Sequence, residues 1–85
     1  MPYIQKAYRK NLSRIVNEFD QTITNAGELN YTITCLIFEY FKQNGNNYQA
    51  INDVVGALEG AKLEFYRRVA APYEDEKIQQ NRDVY

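Results

Sequence analysis

Residues 48–77 constrain the fold more than any other part of this chain. Apolar side chains recur there every three or four residues over about five helical turns. They are Ile51, Val54, Val55, Leu58, Phe65 and Val69. The pattern predicts a long amphipathic helix over residues 48–70, with Pro72 just beyond it. Because proline has no backbone N–H, we expect either a kink in one long helix or a short fourth helix over residues 72–80.

The N-terminal part of the chain has the same periodicity and predicts a first helix over residues 3–24. Its apolar face consists of Tyr8, Leu12, Ile15, Val16, Phe19 and Ile23. Cations come first along this helix and carboxylates come last, which opposes the helix dipole. Tertiary packing, rather than local propensity, is therefore expected to hold this helix in place.

A second helix is predicted over residues 28–43, and it is apolar on two sides. One stripe comprises Leu29, Ile33, Leu36, Ile37 and Tyr40, and the other comprises Tyr31, Cys35, Phe38 and Phe41. A helix with two apolar sides needs two packing partners, and in so short a chain we expect the second to be another subunit. A buried strand over the β-branched run at residues 32–38 is the alternative.

Turn residues separate the three helices. We predict turns at residues 25–27 and 44–47, with Gly45 in the left-handed conformation that ends a helix. Within the third helix, Gly56 and Gly60 are four residues apart. Because glycine weakens a helix, this pair indicates close packing against another backbone or, alternatively, access for a ligand.

The composition restricts the class of protein. A chain of 85 residues with one Cys and no His forms a single domain, residues 1–85, without a disulfide or a His-bearing metal site. So small a domain needs very regular packing or a partner subunit, so we expect a homo-oligomer. A net charge of −1 argues against nucleic-acid binding, and the short apolar runs argue against a membrane partner. We therefore expect a soluble, cytoplasmic protein of a bacterium or of a virus-infected cell.

The missing residue types also argue against catalysis. Without His there is no Ser-His-Asp or Cys-His nucleophile, and no phosphate-binding glycine loop is present. Cys35 lies in an apolar helix and is interpreted as a small core residue. The chain is therefore predicted not to be an enzyme and to carry no cofactor. A carboxylate-only metal site of Asp53, Glu59 and Glu64 stays open as a weaker hypothesis.

Two groups of polar side chains on the third helix form the candidate ligand site. The first group lies on one face of the helix and consists of Asn52, Glu59, Lys62 and Tyr66. The second group lies around Pro72 and consists of the cations Arg67 and Arg68 with the ring of Tyr73. These seven side chains are the predicted binding residues. Rings beside Arg at a helix bend suit a flat anionic ligand such as a nucleotide. The alternative is that these cations form surface ion pairs, Arg68 with Glu64 and Arg67 with Glu74 or Asp75.

Several blocks of the sequence resemble a small family of hypothetical proteins, frequent in phage genomes and also found in bacteria, that is classed as a domain of unknown function. The blocks are Pro2-Tyr3-Ile4, GELNY at 27–31, LEGAKLEFYRR at 58–68, APYEDEK at 71–77 and DVY at 83–85. The family has glycine where this chain has Arg82. The resemblance implies a phage or prophage setting and brings no activity with it.

Two functions are compatible with these features. The first is a non-enzymatic, homo-oligomeric binding protein that captures a small anionic or nucleotide-like ligand, in the manner of a phage sponge against host signalling nucleotides. The second is a protein–protein interaction module that docks a host protein or acts as a structural accessory. The fold expected for both is all-α, a small bundle of three helices with a kink or a short fourth helix at Pro72.

Overall fold

Three helices make up the computed structural model, which describes residues 3–85. They are α1 (Lys6–Glu18), α2 (Ala26–Gln43) and a long third helix made of α3 (Tyr48–Phe65), a π-helical turn (Tyr66–Ala70) and α4 (Ala71–Asn81). Residues 3–85 contain no strand, so the run at residues 32–38 is helical. The predicted all-α class with three helices and a kink near Pro72 is confirmed. None of the described helices is both long enough and apolar enough to cross a membrane.

The ends of α2 are set by side chains and turns next to it. The Asn25 side chain accepts the backbone N–H of Glu28 at 2.8 Å, so α2 begins within the predicted turn at residues 25–27. At the other end, the N–H of Gly45 reaches the carbonyl of Lys42, and the N–H of Asn46 reaches that of Phe41. This is the Schellman arrangement, and it needs a left-handed residue, which Gly45 supplies with a φ of 90°.

The turn after Gly45 leads directly into α3 and makes a hairpin of α2 and α3. Asn47 caps α3 by accepting the N–H of Ala50 at 2.8 Å. Ala50, only 1% exposed, is the one buried side chain among residues 3–85 and lies on the first turn of α3. Further along, the Tyr40 hydroxyl donates to the Asp53 carboxylate at 3.2 Å and joins α2 to α3.

The bend at Pro72 is a widening of the helix and not a break. Backbone angles at Phe65, Tyr66 and Ala71 are all right-handed helical, and the N–H of Ala71 bonds to the carbonyl of Tyr66, five residues earlier. Pro72 occupies the first turn of α4. Because proline lacks an N–H and its ring crowds the carbonyl four residues before it, the wider π turn lets the helix continue past Pro72.

The first helix is shorter than predicted. It covers Lys6–Glu18, whereas the apolar periodicity predicted residues 3–24; Pro2 lies outside the described residues. Gln21 has a φ of 62°, which is incompatible with a continuing helix. The Thr22 hydroxyl also donates to the carbonyl of Glu18, as short polar side chains do when they compete with the helical ladder. The apolar period therefore extends past the point where the backbone leaves the helix.

The described chain is extended, and most of its apolar side chains are exposed. Its radius of gyration is 16.7 Å, whereas about 12 Å is expected for a compact domain of this length. The α2–α3 hairpin and the π turn supply the contacts between elements, and no other helix of residues 3–85 packs on α1. Cys35 is exposed, contrary to its interpretation as a core residue, because nothing in the described chain covers that side of α2.

Candidate functional site

The π turn brings two guanidinium groups onto one carboxylate. Arg67 Nη2 lies 3.0 Å from Glu64 Oε1, and Arg68 Nε donates to the same oxygen. The hydrogen bond from Arg68 lowers the pKa of Glu64, assisted by Arg67 and opposed by partial burial. The alternative pairing predicted for Arg68 is therefore present, but Arg67 pairs with Glu64 rather than with Glu74 or Asp75.

Two tyrosines lie on either side of the same turn. The Tyr66 hydroxyl donates to Glu74 Oε2 at 3.0 Å, and this bond spans the π turn. It raises the pKa of Tyr66, since the hydrogen bond and the charge of Glu74 both favour the protonated phenol. Past the bend, Lys77 Nζ lies 5.5 Å from the centre of the Tyr73 ring, which is within the range of a cation–π contact.

The other predicted binding residues lie further back along α3. Lys62 Nζ is 3.7 Å from Glu59 Oε1, one turn before the π turn. Asn52 precedes Tyr66 by 14 residues, which corresponds to about 21 Å of helix. The structure thus groups Tyr66, Arg67 and Arg68 at the π turn and places Asn52 too far away to contact a small ligand bound there.

The carboxylates proposed for a metal site do not converge. Among residues 3–85 there is no group of three or more His, Cys, Asp or Glu side chains able to hold a metal ion. Asp53, Glu59 and Glu64 follow each other along α3 at intervals of about 9 and 8 Å, too far for common ligation at 2.3–2.6 Å. Each also has its own partner: Tyr40 and Gln49 for Asp53, Lys62 for Glu59 and the two Arg for Glu64.

We call Glu64, Tyr66, Arg67, Arg68, Tyr73, Glu74 and Lys77 the π-turn cluster. Sequence reasoning assigned Glu74 as a pairing partner and Glu64 as a pairing partner or a metal ligand, although the spacing of three and four residues from Glu64 to the two Arg indicated their convergence. Each Arg contributes one N–H to the same Glu64 oxygen, and guanidinium groups are the donors that proteins commonly use for phosphate and carboxylate groups. The cluster therefore has the donor groups of an anion-binding site, and Glu64 Oε1 of the same chain lies where the oxygen of an anion would bind.

A comparison with known families assigns the chain as a whole. The model of a domain of unknown function, DUF6899, matches residues 1–84. The chain belongs to this family. No curated protein and no solved structure matches the chain. Because the DUF6899 description names no activity, any function has to be argued from the residues of this chain.

The DUF6899 chain has a second notable feature, an apolar groove of about 380 Å³ between α2 and α3. Its walls are formed by Ile33, Leu36, Ile37, Val54, Ala57 and Leu58, and the bonded pair of Tyr40 and Asp53 also lines it. The sequence patterns placed these side chains in apolar stripes, except Ala57 and Asp53. The sequence patterns did not predict an open groove. An apolar stripe indicates which face of a helix needs a packing partner, but it does not identify that partner.

Proposed function

We propose that this DUF6899 protein is a non-enzymatic, homo-oligomeric binding protein that captures a small anionic, nucleotide-like ligand at the π-turn cluster. The observation that supports the proposal is the convergence of Arg67 and Arg68 on one carboxylate oxygen of Glu64. Two guanidinium groups within reach of one carboxylate place cationic N–H donors together, and such donors bind phosphate and carboxylate groups.

Glu64 occupies the place that an oxygen of the ligand would take. Its contacts with both Arg side chains lie at the protein surface, where ion pairs are weak and screened by salt. A phosphate carries more charge than a carboxylate and presents more acceptor oxygens, so it competes well for the same donors. Exchange of Glu64 for a ligand phosphate therefore costs the protein little.

The rings at the bend supply the surface for the flat part of the ligand. Tyr66 and Tyr73 flank the π turn, and the bond from Tyr66 to Glu74 fixes the position of the first ring. Aromatic faces stack on nucleobases without requiring a particular base sequence. Lys62 lies one turn away, and its ammonium group can reach a second phosphate.

Thermal-shift assays and calorimetry with inorganic phosphate, linear nucleotides and cyclic nucleotides test this proposal. Stabilisation by a nucleotide and not by phosphate is expected, of about 2.7 kcal/mol when the ligand is at 100 times its Kd. Arg67→Gln and Lys62→Gln should each weaken this response. Lys42→Gln is the matched control, because Lys42 also pairs with a Glu three residues earlier but lies on α2. The absence of stabilisation by every nucleotide at millimolar concentration would reject the proposal.

The exposed second stripe of α2 favours the alternative, a protein–protein interaction module that docks a host protein. Phe38 is 62% exposed, and Cys35 is exposed as well. A side-chain hydrogen bond with Cys35 raises the pKa of the Tyr31 phenol. The labelling rate of the Cys35 thiol in the natively purified protein tests whether this stripe is accessible. Labelling as fast as in the urea-unfolded chain would support the module, whereas strong protection would show that the protein covers the stripe by itself.

The proposal includes a phage or prophage setting and a cytoplasmic location. The support for the phage setting is the resemblance carried by residues 58–68 and 71–77. A single cysteine without a disulfide partner in the chain is typical of a reducing compartment. Localisation of the tagged protein during infection would test both parts.

A further inference from the structure

The apolar face of α1 has no partner in the described chain. Leu12 and Ile15 are 50% and 45% exposed, although they lie at the centre of the stripe that should be buried. No other helix within residues 3–85 packs on α1. A 13-residue amphipathic helix is only marginally stable by itself in water, so α1 needs a surface to pack against.

The α2–α3 groove is a surface of the required kind. It is apolar, and its walls run from Ile33 to Tyr40 on α2 and from Asp53 to Leu58 on α3, which corresponds to about 8–11 Å of helix. The 13 residues of α1 correspond to about 20 Å, so the groove can take the central turns of α1, where Leu12 and Ile15 lie. Packing of α1 there would turn the open hairpin into a three-helix layer with a continuous core.

Helix α1 and the α2–α3 hairpin have opposite net charges. In α1, four cations and one carboxylate leave a net charge of +3. In α2, two carboxylates and one cation leave −1, and in α3, three carboxylates and one cation leave −2. The hairpin therefore has a net charge of −3, equal and opposite to that of α1. Such complementarity speeds the encounter of two surfaces and fixes their register.

The exposed area is too large for a chain that works alone. The chain exposes 7914 Å², whereas a folded monomer of 10.0 kDa exposes about 5200 Å². The excess is about 2700 Å² per chain. Two copies carry about 5400 Å² of excess, so an obligate homodimer interface at the upper end of the usual range of about 2000–5000 Å² in total would absorb most of it.

The connection between α1 and α2 argues that the groove filled by α1 belongs to another copy. Thr24 donates its N–H and its hydroxyl to Glu28 Oε1 at 2.7 and 2.9 Å. The N–H of Thr22 bonds to the carbonyl of Phe19, and Gln21 adopts a left-handed backbone. These local bonds hold α1 away from its own hairpin. A second copy can supply its groove to α1 with this connection unchanged, whereas a fold back of α1 onto its own hairpin would require the connection to change.

We propose that α1 of one copy packs in the α2–α3 groove of a second copy, and that the second copy reciprocates, to form a two-fold helix-exchanged dimer. The proposal rests on the homo-oligomer part of the proposed function and is independent of the anionic ligand. Leu12 and Ile15 enter the groove of the partner copy, and the cations of α1 lie beside the carboxylates of the hairpin.

Disulfide cross-linking of the full-length chain tests the exchange. In a Cys35→Ser background, chains with Leu12→Cys are mixed with ¹⁵N-labelled chains with Ala57→Cys, refolded together and oxidised. The expected product is a mixed disulfide between one labelled and one unlabelled chain, because Ala57 lines the groove. Ser13→Cys replaces Leu12→Cys in the control, since position 13 lies about 100° around α1 from Leu12 and outside the apolar stripe, and it should give at least about tenfold less product.

The double variant Leu12→Cys/Ala57→Cys separates the two possible occupants of the groove. Exchange predicts covalent dimers that form at every protein concentration above the dimer Kd. A disulfide within one chain, at all concentrations, would show that α1 closes on its own groove and would overturn the proposal. A dimer that forms without any cross-link would show that another face joins the copies, and would overturn it as well.

Sedimentation equilibrium measures the energetic contribution of the α1 face. Leu12→Asp/Ile15→Asp should raise the Kd of the dimer at least about 100-fold, because two apolar side chains leave the interface. Ser13→Asp/Asn17→Asp adds the same charge on the other face of α1 and should change the Kd less than about tenfold. Equal effects of the two double variants would contradict the proposal.

The ligand assay distinguishes this inference from the proposed function. If the wild-type protein forms the exchanged dimer but no nucleotide stabilises it, the dimer inference stands and ligand capture fails. If nucleotides stabilise a protein that is monomeric at all concentrations, the inference fails and ligand capture stands.

Discussion

Helix α1 and the α2–α3 hairpin are both amphipathic, but only the hairpin is specified by its own neighbouring residues. Asn25 and Asn47 cap α2 and α3 with side-chain bonds, and Gly45 ends α2 with a left-handed turn. The residue before α1, Gln5, makes no side-chain cap bond in the described structure. Local chemistry thus determines where the hairpin begins and ends, whereas no side-chain cap marks the start of α1 in the described structure.

The difference means that a substitution should have different effects in the two regions. In the hairpin, a single buried or capping residue should change the free energy of unfolding measurably. In α1, the equivalent change away from its apolar face should have almost no effect. All comparisons below require one fixed protomer concentration, since association contributes to apparent stability.

The largest effect is expected at Ala50, the buried side chain at the start of α3. Ala50→Leu adds three carbons where α2 and α3 meet, and overpacking of this kind should lower the free energy of unfolding by about 2 kcal/mol. Ala7→Leu is the matched change on α1, at an exposed position outside the apolar stripe, and should shift stability by less than about 0.5 kcal/mol. Urea unfolding followed by circular dichroism measures both. Equal losses would show that α1 is buried on that side too.

A smaller change in the free energy of unfolding is expected when either of two glycines is replaced by alanine, and the two changes should have opposite signs. Gly45→Ala places a side chain at a φ of 90° and should cost about 1–2 kcal/mol. Gly56→Ala should stabilise α3 by about 1 kcal/mol, because a Cβ at Gly56 meets no other atom within 4 Å among residues 3–85.

The same urea unfolding measurement covers the glycine pair. Loss of stability in the Gly56→Ala variant would contradict the open surface and would indicate the close backbone packing that the Gly56–Gly60 spacing first indicated. Within residues 3–85 that packing is not observed, since Gly60 also has open space beside it.

The fold could be predicted from the sequence where turn chemistry and apolar period agree. The end of α2 and the start of α3 match their predicted positions because Gly45 and Asn47 mark them. The end of α1 was wrong, since the apolar period continues to Ile23 while the backbone turns away at Gln21. The π turn could not be predicted, because Pro72 allows either a kink or a new helix and only the backbone geometry decides between them.

The candidate site could be predicted less completely than the fold. The contact of Arg68 with Glu64 follows from a spacing of four residues on one helix. The bond between Tyr66 and Glu74 does not, because its eight-residue separation is bridged only when the π turn changes the register of the helix. The groove could not be predicted either, since it depends on how α2 and α3 meet and on the absence of α1 from that face.

A third comparison tests the caps themselves. Asn47→Ala removes the bond to the N–H of Ala50 and should cost about 1 kcal/mol. Gln5→Ala occupies the equivalent position at α1, where the side chain makes no cap bond in the described structure, and should leave stability unchanged. Amide exchange at Ala50 gives an independent measure, because its protection should fall only in the first variant. Similar losses in both variants would mean that α1 has a cap of its own.

The smallest effect concerns the pH dependence of α2. The backbone N–H and then the hydroxyl of Thr24 hydrogen-bond to Glu28 and lower its pKa below the ordinary value of 4.5. As the pH falls, the unfolded state therefore takes up this proton before the folded state does. The stabilisation is complete above pH 4.5 and disappears as the pH falls through the lowered pKa of the folded protein.

Unfolding measured between pH 6 and pH 3 should show this loss in the wild-type protein and a smaller loss in Glu28→Gln. Other carboxylates titrate in the same range, Glu64 among them, so the difference between the two proteins isolates the contribution of Glu28. Glu18→Gln is the control on α1, and at neutral pH it should be neutral or slightly stabilising, because a carboxylate at a helix C-terminus opposes the dipole. Parallel pH profiles for the wild-type protein and Glu28→Gln would show that the contact with Thr24 does not persist in solution, and the Asn25 cap would then be the remaining difference between the start of α2 and that of α1.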